Sequence, residues 1–263
     1  MHGLGNDFII FDNIKNSIIH DSKFINKISN RRIGIGCDQV LIIENTNTPE
    51  NFKVKMYNSD GSETGACGNG TRCVADYLMN KNDLNSVTIK SVSDDLVCSK
   101  TDNLVTVNMG VPKFSWNEIP LSKDQNTQNV KLDEFEAFCL SIGNPHAVIF
   151  INNLEELENL NINSIGPRLE KNSIFPEFAN IEFVSVLEDK SLRMRVWERG
   201  AGMTSACGSG ACATLVAASS LDKSAKENKI VLDGGDLFIK WLDNGSVTLS
   251  GDTERVFEGF IGE

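Results

Sequence analysis

One short pattern, Ala-Cys-Gly-polar-Gly, is written twice in this chain. It stands at Ala66-Cys67-Gly68-Asn69-Gly70 and again, 140 positions later, at Ala206-Cys207-Gly208-Ser209-Gly210. The match reaches upstream, where Thr64-Gly65 aligns with Thr204-Ser205. Each copy follows a strand-like run, KVKMYNSDG in the first and LRMRVWERG in the second. Self-similarity at a fixed offset marks a duplicated structural unit. The chain therefore reads as two similar halves, each a sheet wrapped around one central helix. They join near Val111–Trp116, giving residues 1–112 with Cys67 and residues 113–263 with Cys207, the last stretch returning to the first half. No low-complexity segment or long linker intervenes, so the halves are expected to touch across a cleft.

Periodicity around the repeat is mostly that of short strands. DFIIFDN, QVLIIE, FKVKMYN, SVTIKSV and NLVTVNM in the first half alternate apolar and polar residues or are rich in β-branched ones. AVIFI, IEFVSVL, SLRMRVWE, DLFIKWL and SVTLSG do the same in the second. Turns at Ser59-Asp60-Gly61, Asp233-Gly234-Gly235 and Asp243-Asn244-Gly245 separate them. Helices are predicted from Gly68 to Met79 and from Gly208 to Leu221. The second is small or apolar around its whole circumference and should be buried on all sides. A third, LEELENL at 154–160, is amphipathic and should lie on the surface. The fold class expected is α+β.

Composition narrows the function classes. At 263 residues the chain is long enough to bury a sizeable core. Its net charge of −11 argues against nonspecific nucleic-acid binding, which needs a basic face. No apolar run approaches the roughly 20 residues of a membrane span, and MHGLGNDFII lacks the basic-then-apolar pattern of an export signal. Seven cysteines without framework spacing suit free thiols in a reducing, cytoplasmic setting.

A cysteine at a helix N-terminus meets backbone N–H groups and a macrodipole that favour negative charge, so thiolate becomes accessible near neutral pH. The glycines beside it let a ligand come close to those N–H donors. Two such motifs facing one cleft would hold a carboxylate between two helix ends, with a thiolate on one side of its α-carbon and a thiol on the other. One sulfur removes the α-proton and the other delivers a proton to the opposite face, which inverts the centre. The alternative, two small core cysteines, suits a single Cys better than a duplicated one. Cys37, Cys73, Cys98, Cys139 and Cys212 lack the context and read as packing residues. Zinc is not expected, since the pairs are not Cys-x-x-Cys and only three histidines exist. Neither copy matches a phosphate-binding P-loop or a dinucleotide fingerprint, and no lysine stands in a pyridoxal-phosphate context.

At these residues the chain resembles the diaminopimelate epimerases. The resemblance rests on HGLGNDF at 2–8, GCDQ at 36–39, YNSDGSE at 57–63, CGNGTRC at 67–73, GNPH at 143–146 and ERGAG with ACGSGACA at 198–213. It implies two pseudo-symmetric domains, each a mostly antiparallel β-barrel-like sheet around a central α-helix. It further implies cofactor-independent interconversion of LL- and meso-diaminopimelate in lysine and peptidoglycan-precursor synthesis, with Cys67 and Cys207 as paired acid and base and a homodimeric assembly. By resemblance, Asn6, Gln39, Asn58, Asn144, Asn180, Glu198 and Arg199 line the substrate site, and the backbones of Gly68, Asn69, Gly208 and Ser209 surround the reacting end. Arg199 offers a planar fork to the distal carboxylate, while Glu198 and amide oxygens suit the distal ammonium. His146 and Glu198 would bias which cysteine is thiolate. Turn formation is the other reading of Asn6, Asn58 and Asn144, and Arg31-Arg32 read as solvated surface charges.

Three departures stand out. Met203 occupies a place where the family usually carries glutamate, which puts in question a hydrogen bond to the second helix end. Ile181-Glu182 follow Asn180 where small residues are expected. The chain also starts at Met1-His2, several residues shorter than typical members, so its first strand is expected to be clipped. A racemase or epimerase of the proline or hydroxyproline type is the alternative function, and a non-catalytic binding protein on the same scaffold a third.

Overall fold

The computed structural model describes residues 1–13, 21–46, 50–65, 67–91, 95–101 and 104–261. Ala66 of the first repeated motif, Val92 ending SVTIKSV and Asn103 opening NLVTVNM lie outside the described residues. The chain divides into two compact units, Met1–Asn108 with Ser250–Glu263, and Met109–Leu249.

The first unit runs β1 (His2–Gly3), β2 (Asn6–Asp12), α1 (Ser22–Ser29), β3 (Gln39–Asn45), β4 (Asn51–Asn58), β5 (Glu63–Thr64), α2 (Gly68–Asn82), β6 (Ser86–Lys90), β7 (Asp95–Thr101) and β8 (Leu104–Asn108). The second runs β9 (Val130–Leu132), β10 (Phe135–Ser141), β11 (Pro145–Phe150), α3 (Leu154–Asn159), α4 (Ile162–Glu170), β12 (Asn180–Val186), β13 (Leu192–Glu198), β14 (Gly202–Thr204), α5 (Gly208–Ser220), β15 (Glu227–Leu232) and β16 (Gly235–Trp241). The chain passes back to the first unit within β17 (Val247–Gly251).

The two units are built alike. In the first, β1–β2 is antiparallel, β2–β3 parallel, β3–β4 and β4–β5 antiparallel, β4–β6 parallel and β6–β7 antiparallel. In the second the same senses recur in the same order from β10–β11 to β15–β16. Registers coincide as well. Phe8 pairs with Gln39 as His146 pairs with Asn180, and Met56 pairs with Thr64 as Val196 pairs with Thr204. The duplication read from two cysteine motifs is thus a duplication of the whole α+β unit, mostly antiparallel, with the central helix inserted between β5 and β6 in the first and between β14 and β15 in the second.

Those two helices are the core of their units. On α5 every residue from Ala211 to Ala218 is buried, as a helix without a polar face requires. On α2 the buried set includes Arg72, Cys73, Val74, Ala75, Leu78 and Met79, and the helix ends three residues beyond Met79, where Asp83 takes the left-handed conformation and donates its N–H to Met79. The superficial helix is α3, with Leu157 alone buried.

Two helices were not expected. α1 is only eight residues long, started by Asp21 accepting from the Phe24 N–H. α4 carries Pro167 in its interior, which reads as a breaker in sequence. Its Gly166 has a packing reason: a Cβ there would stand 2.4 Å from the Trp197 ring. The helix therefore lies closely against β13, the strand that ends in Glu198. No helix among the described residues is long and apolar enough to cross a membrane.

Candidate active site

The duplicated architecture gives the two cysteines equivalent posts. Each is the N-cap of its unit's central helix in extended backbone, Cys67 at φ −142° and ψ 110°, Cys207 at φ −127° and ψ 113°. The first intrahelical bonds are made by the N–H groups of Thr71 and Ala211, so the Gly68, Asn69, Gly208 and Ser209 N–H groups belong to the open helix ends that suit an anion. Gly70 and Gly210 bring these ends against their sheets. A Cβ on Gly70 would meet Leu41 at 3.0 Å and Phe8 at 3.3 Å, and one on Gly210 would meet the Glu182 carboxylate at 2.8 Å.

In the first unit, β1 and β2 are joined by Leu4 and Gly5, both at positive φ (57° and 82°), the two-residue turn that matches strand twist. Asn6 follows directly. Its Oδ1 lies 3.8 Å from the Cys67 Sγ, which donates to it, and 3.5 Å from the Asn69 amide nitrogen. Its Nδ2 donates to Asp38 at 2.8 Å. Asn69 is itself buried and accepts from the buried Arg72 guanidinium at 3.0 Å. Gln39 and Asn58, register partners on β3 and β4, share an amide hydrogen bond of 3.1 Å.

In the second unit, charged groups occupy the corresponding posts. Register places His146 where the first unit has Phe8, Glu182 where it has Leu41, and Glu198 where it has Asn58. The fully buried His146 bonds Glu182 through Nδ1 at 2.7 Å and Asn144 through Nε2 at 2.8 Å. The second Glu182 oxygen is buried with no hydrogen-bond partner among the described residues. Glu198 accepts from the Thr204 hydroxyl and from the Cys207 thiol. Cys207 is buried; its sulfur accepts from the Gly210 N–H at 3.4 Å and lies 3.6 Å from the Ser209 hydroxyl.

These surroundings hold the Cys207 proton on. Burial pushes the thiol well above its ordinary value, the Glu198 and Glu182 carboxylates push it further, and the Gly210 N–H opposes them. Burial also lifts the Glu198 carboxyl above the usual range, against hydrogen bonds from Thr204 and Cys207, with Glu182 raising and His146 lowering it. Cys37, Cys73, Cys98, Cys139 and Cys212 are all buried, and burial pushes Cys73 and Cys98 to about 12.

The remaining residues singled out in sequence fall into two groups. Asn180 is buried and spans two segments, donating to the Pro145 carbonyl at 2.9 Å and accepting from the Arg199 N–H at 3.0 Å. It thereby fixes the turn that carries Arg199, whose exposed side chain donates to the Glu177 carbonyl at 3.1 Å. Met203 is exposed on β14, register partner of Trp197, and Thr204 supplies the hydrogen bond to Glu198. Sequence reasoning missed Glu182, Asp38 and Glu170. Glu170 is buried and accepts from the Trp197 indole and the Gly200 N–H, both at 2.8 Å, pinning the same turn from below. A strand glutamate beside phenylalanine was the only signal for Glu182. Arg31 is exposed, as its reading as a surface charge expects, and it also grips Asp7 with two bonds of 2.7 and 2.8 Å and Asp38 with one of 2.8 Å.

Among solved structures the fold is that of the proline racemases and their neighbours. A protein described as a predicted epimerase from Pseudomonas aeruginosa superposes with a TM-score of 0.67 at 15% identity, covering 97% of this chain and 94% of the other. A hydroxyproline epimerase from Agrobacterium vitis superposes with a TM-score of 0.62 at 13% identity, covering 95% and 86%. Sequence relationships are closer. The family described as diaminopimelate epimerase matches residues 1–115 and 138–256. Curated diaminopimelate epimerases from Rhodospirillum centenum and Acidiphilium cryptum are 40% and 42% identical, covering 100% and 98% of this chain and 91% and 94% of theirs. The chain belongs to the diaminopimelate epimerase family.

Proposed function

We propose that this protein interconverts LL- and meso-diaminopimelate without a cofactor, by a two-base mechanism in which Cys67 and Cys207 serve one α-carbon. The observation that carries the reading is the pair of cysteines at equivalent helix starts, within a chain matched to the epimerase family along nearly its whole length. In the direction that starts with Cys207 protonated, the Cys67 thiolate takes the α-proton and becomes a thiol. The Cys207 thiol gives its proton to the opposite face and becomes a thiolate. Charge is conserved, and the reverse reaction exchanges the roles. The Gly68, Asn69, Gly208 and Ser209 N–H groups receive the substrate carboxylate, whose charge grows as the carbanion develops.

Asn6, Gln39, Asn58, Asn144, Asn180, Glu198 and Arg199 serve recognition or positioning, and His146 and Glu198 set the protonation of Cys207. The guanidinium of Arg199 and the amide-rich set suit a long substrate with a second zwitterionic end better than a proline ring. On this reading the protein works in lysine and peptidoglycan-precursor synthesis, in the cytoplasm, as a homodimer. Turnover of LL-diaminopimelate beside L-proline, followed by the chiral composition of each, tests the substrate. Inversion of the first and none of the second is expected; inversion of proline alone contradicts the reading.

A further inference from the structure

Asn6 is held in one orientation from two sides. Asp38 is an acceptor, so the group turned toward it is the Asn6 NH2 at 2.8 Å. Arg72 occupies the Asn69 carbonyl, so Asn69 offers its NH2 to the Asn6 oxygen. Both constraints leave the Asn6 carbonyl oxygen on the Cys67 sulfur. Asp38 is anchored in turn. One oxygen takes the Arg31 guanidinium, the other takes the Asp7 N–H at 3.2 Å, and the Asp38 N–H returns a bond of 2.8 Å to the Asp7 carboxylate. The fold does not require this carboxylate. At the matching register of the second unit, one residue before Asn180, stands Ala179, and there the amide of Asn144 is held by His146 instead.

We propose that Asp38, backed by Arg31, is a positioning residue for the reaction: it locks the Asn6 amide with its carbonyl facing Cys67. The inference rests on the reading that Cys67 transfers a proton. A carbonyl accepts from a thiol and has nothing to give a thiolate, so the locked amide favours the thiol form of Cys67 over the thiolate until substrate engages Asn6. Among the described residues, the charged and titratable groups at this end of α2 include Asp7, Asp38 and Arg31, with Arg72 and Cys73 on α2 itself, the Met1 amine, and His2 of β1 with its partner Glu254. In Asp38→Asn, Arg31 claims the new carbonyl through the stronger, charge-assisted bond. The new NH2 then opposes that of Asn6, and the Asn6 carbonyl is driven off the sulfur.

The test is site-resolved alkylation of Cys67 across pH by iodoacetamide, in the full-length protein, for Asp38→Asn and Asp38→Ala in both the Asn6 and the Asn6→Ala backgrounds. With Asn6 present, both substitutions move the profile to lower pH, Asp38→Asn raising the rate at pH 7 about tenfold. In Asn6→Ala neither moves it. An equal shift in both backgrounds, which loss of a nearby charge alone would give, overturns the inference, and so does no shift with Asn6 present. Cys67→Ala separates this from the parent reading: full epimerisation by that variant removes Cys67 from the chemistry even where the alkylation shift is found.

Discussion

Cys207 keeps its proton because burial and two carboxylates all oppose a thiolate there. Removing one charge should show this directly. In Glu198→Gln the sulfur loses a negative neighbour and its anionic hydrogen-bond acceptor together, both of which favour the thiol. Alkylation of Cys207 by a small reagent is expected to rise roughly tenfold at pH 8; an unchanged or slower rate would mean that Glu198 does not govern this sulfur. The same scale shows what sequence conceals. The helix-start positions of Cys67 and Cys207 were legible because a rare residue recurs in a rare setting. Glu182 was not, because a glutamate inside IEFVSV normally points to solvent. Only its register with the apolar Leu41 of the other unit reveals how unusual its fully buried post is.

Among elements, the helices that carry the cysteines were readable from composition and from their glycine starts. α1 and α4 were not, one for want of length and the other for its internal proline. The tight seat of α4 matters for the site, since Gly166 lies against Trp197 and Glu170 at the helix end holds Trp197 and Gly200. Gly166→Ala should therefore cost about 2 kcal/mol of stability through overpacking, and lower turnover by moving the Glu198–Arg199 turn. Gly259→Ala, where an added Cβ meets nothing within 4 Å, serves as the control and should change stability by less than about 0.5 kcal/mol. Equal melting temperatures for the two variants would refute the packing assignment.

At the scale of the molecule, duplication followed by divergence explains the architecture. Each unit keeps the same strand senses and the same helix-start cysteine, while Phe8, Leu41 and Asn58 on one side answer to His146, Glu182 and Glu198 on the other. One repeated motif foretold the duplication, yet the pairing register needed the strands themselves, because a one-residue slip inverts every side chain. The buried thiols also give the whole molecule an alkaline limit. Their folded values lie above the ordinary 9.0, so the unfolded chain loses those protons first as pH rises. Stability from them is complete below pH 9 and declines toward about 12. Each contributes a slope of about 1.4 kcal/mol per pH unit in that window. Urea midpoints under reducing conditions should fall from pH 9 to 10.5, and Cys98→Ala should flatten that fall by one thiol's share. A slope unaltered in that variant would contradict the assignment.

The central claim, that two sulfurs work on one carbon in opposed roles, is tested most directly by epimerisation of LL-diaminopimelate in deuterated water. Wild-type protein should place deuterium on the inverted α-carbon, while Cys67→Ala and Cys207→Ala, each folded, should yield no inverted product. Unlabelled product from the wild type, or inversion retained at full rate by either variant, would contradict it.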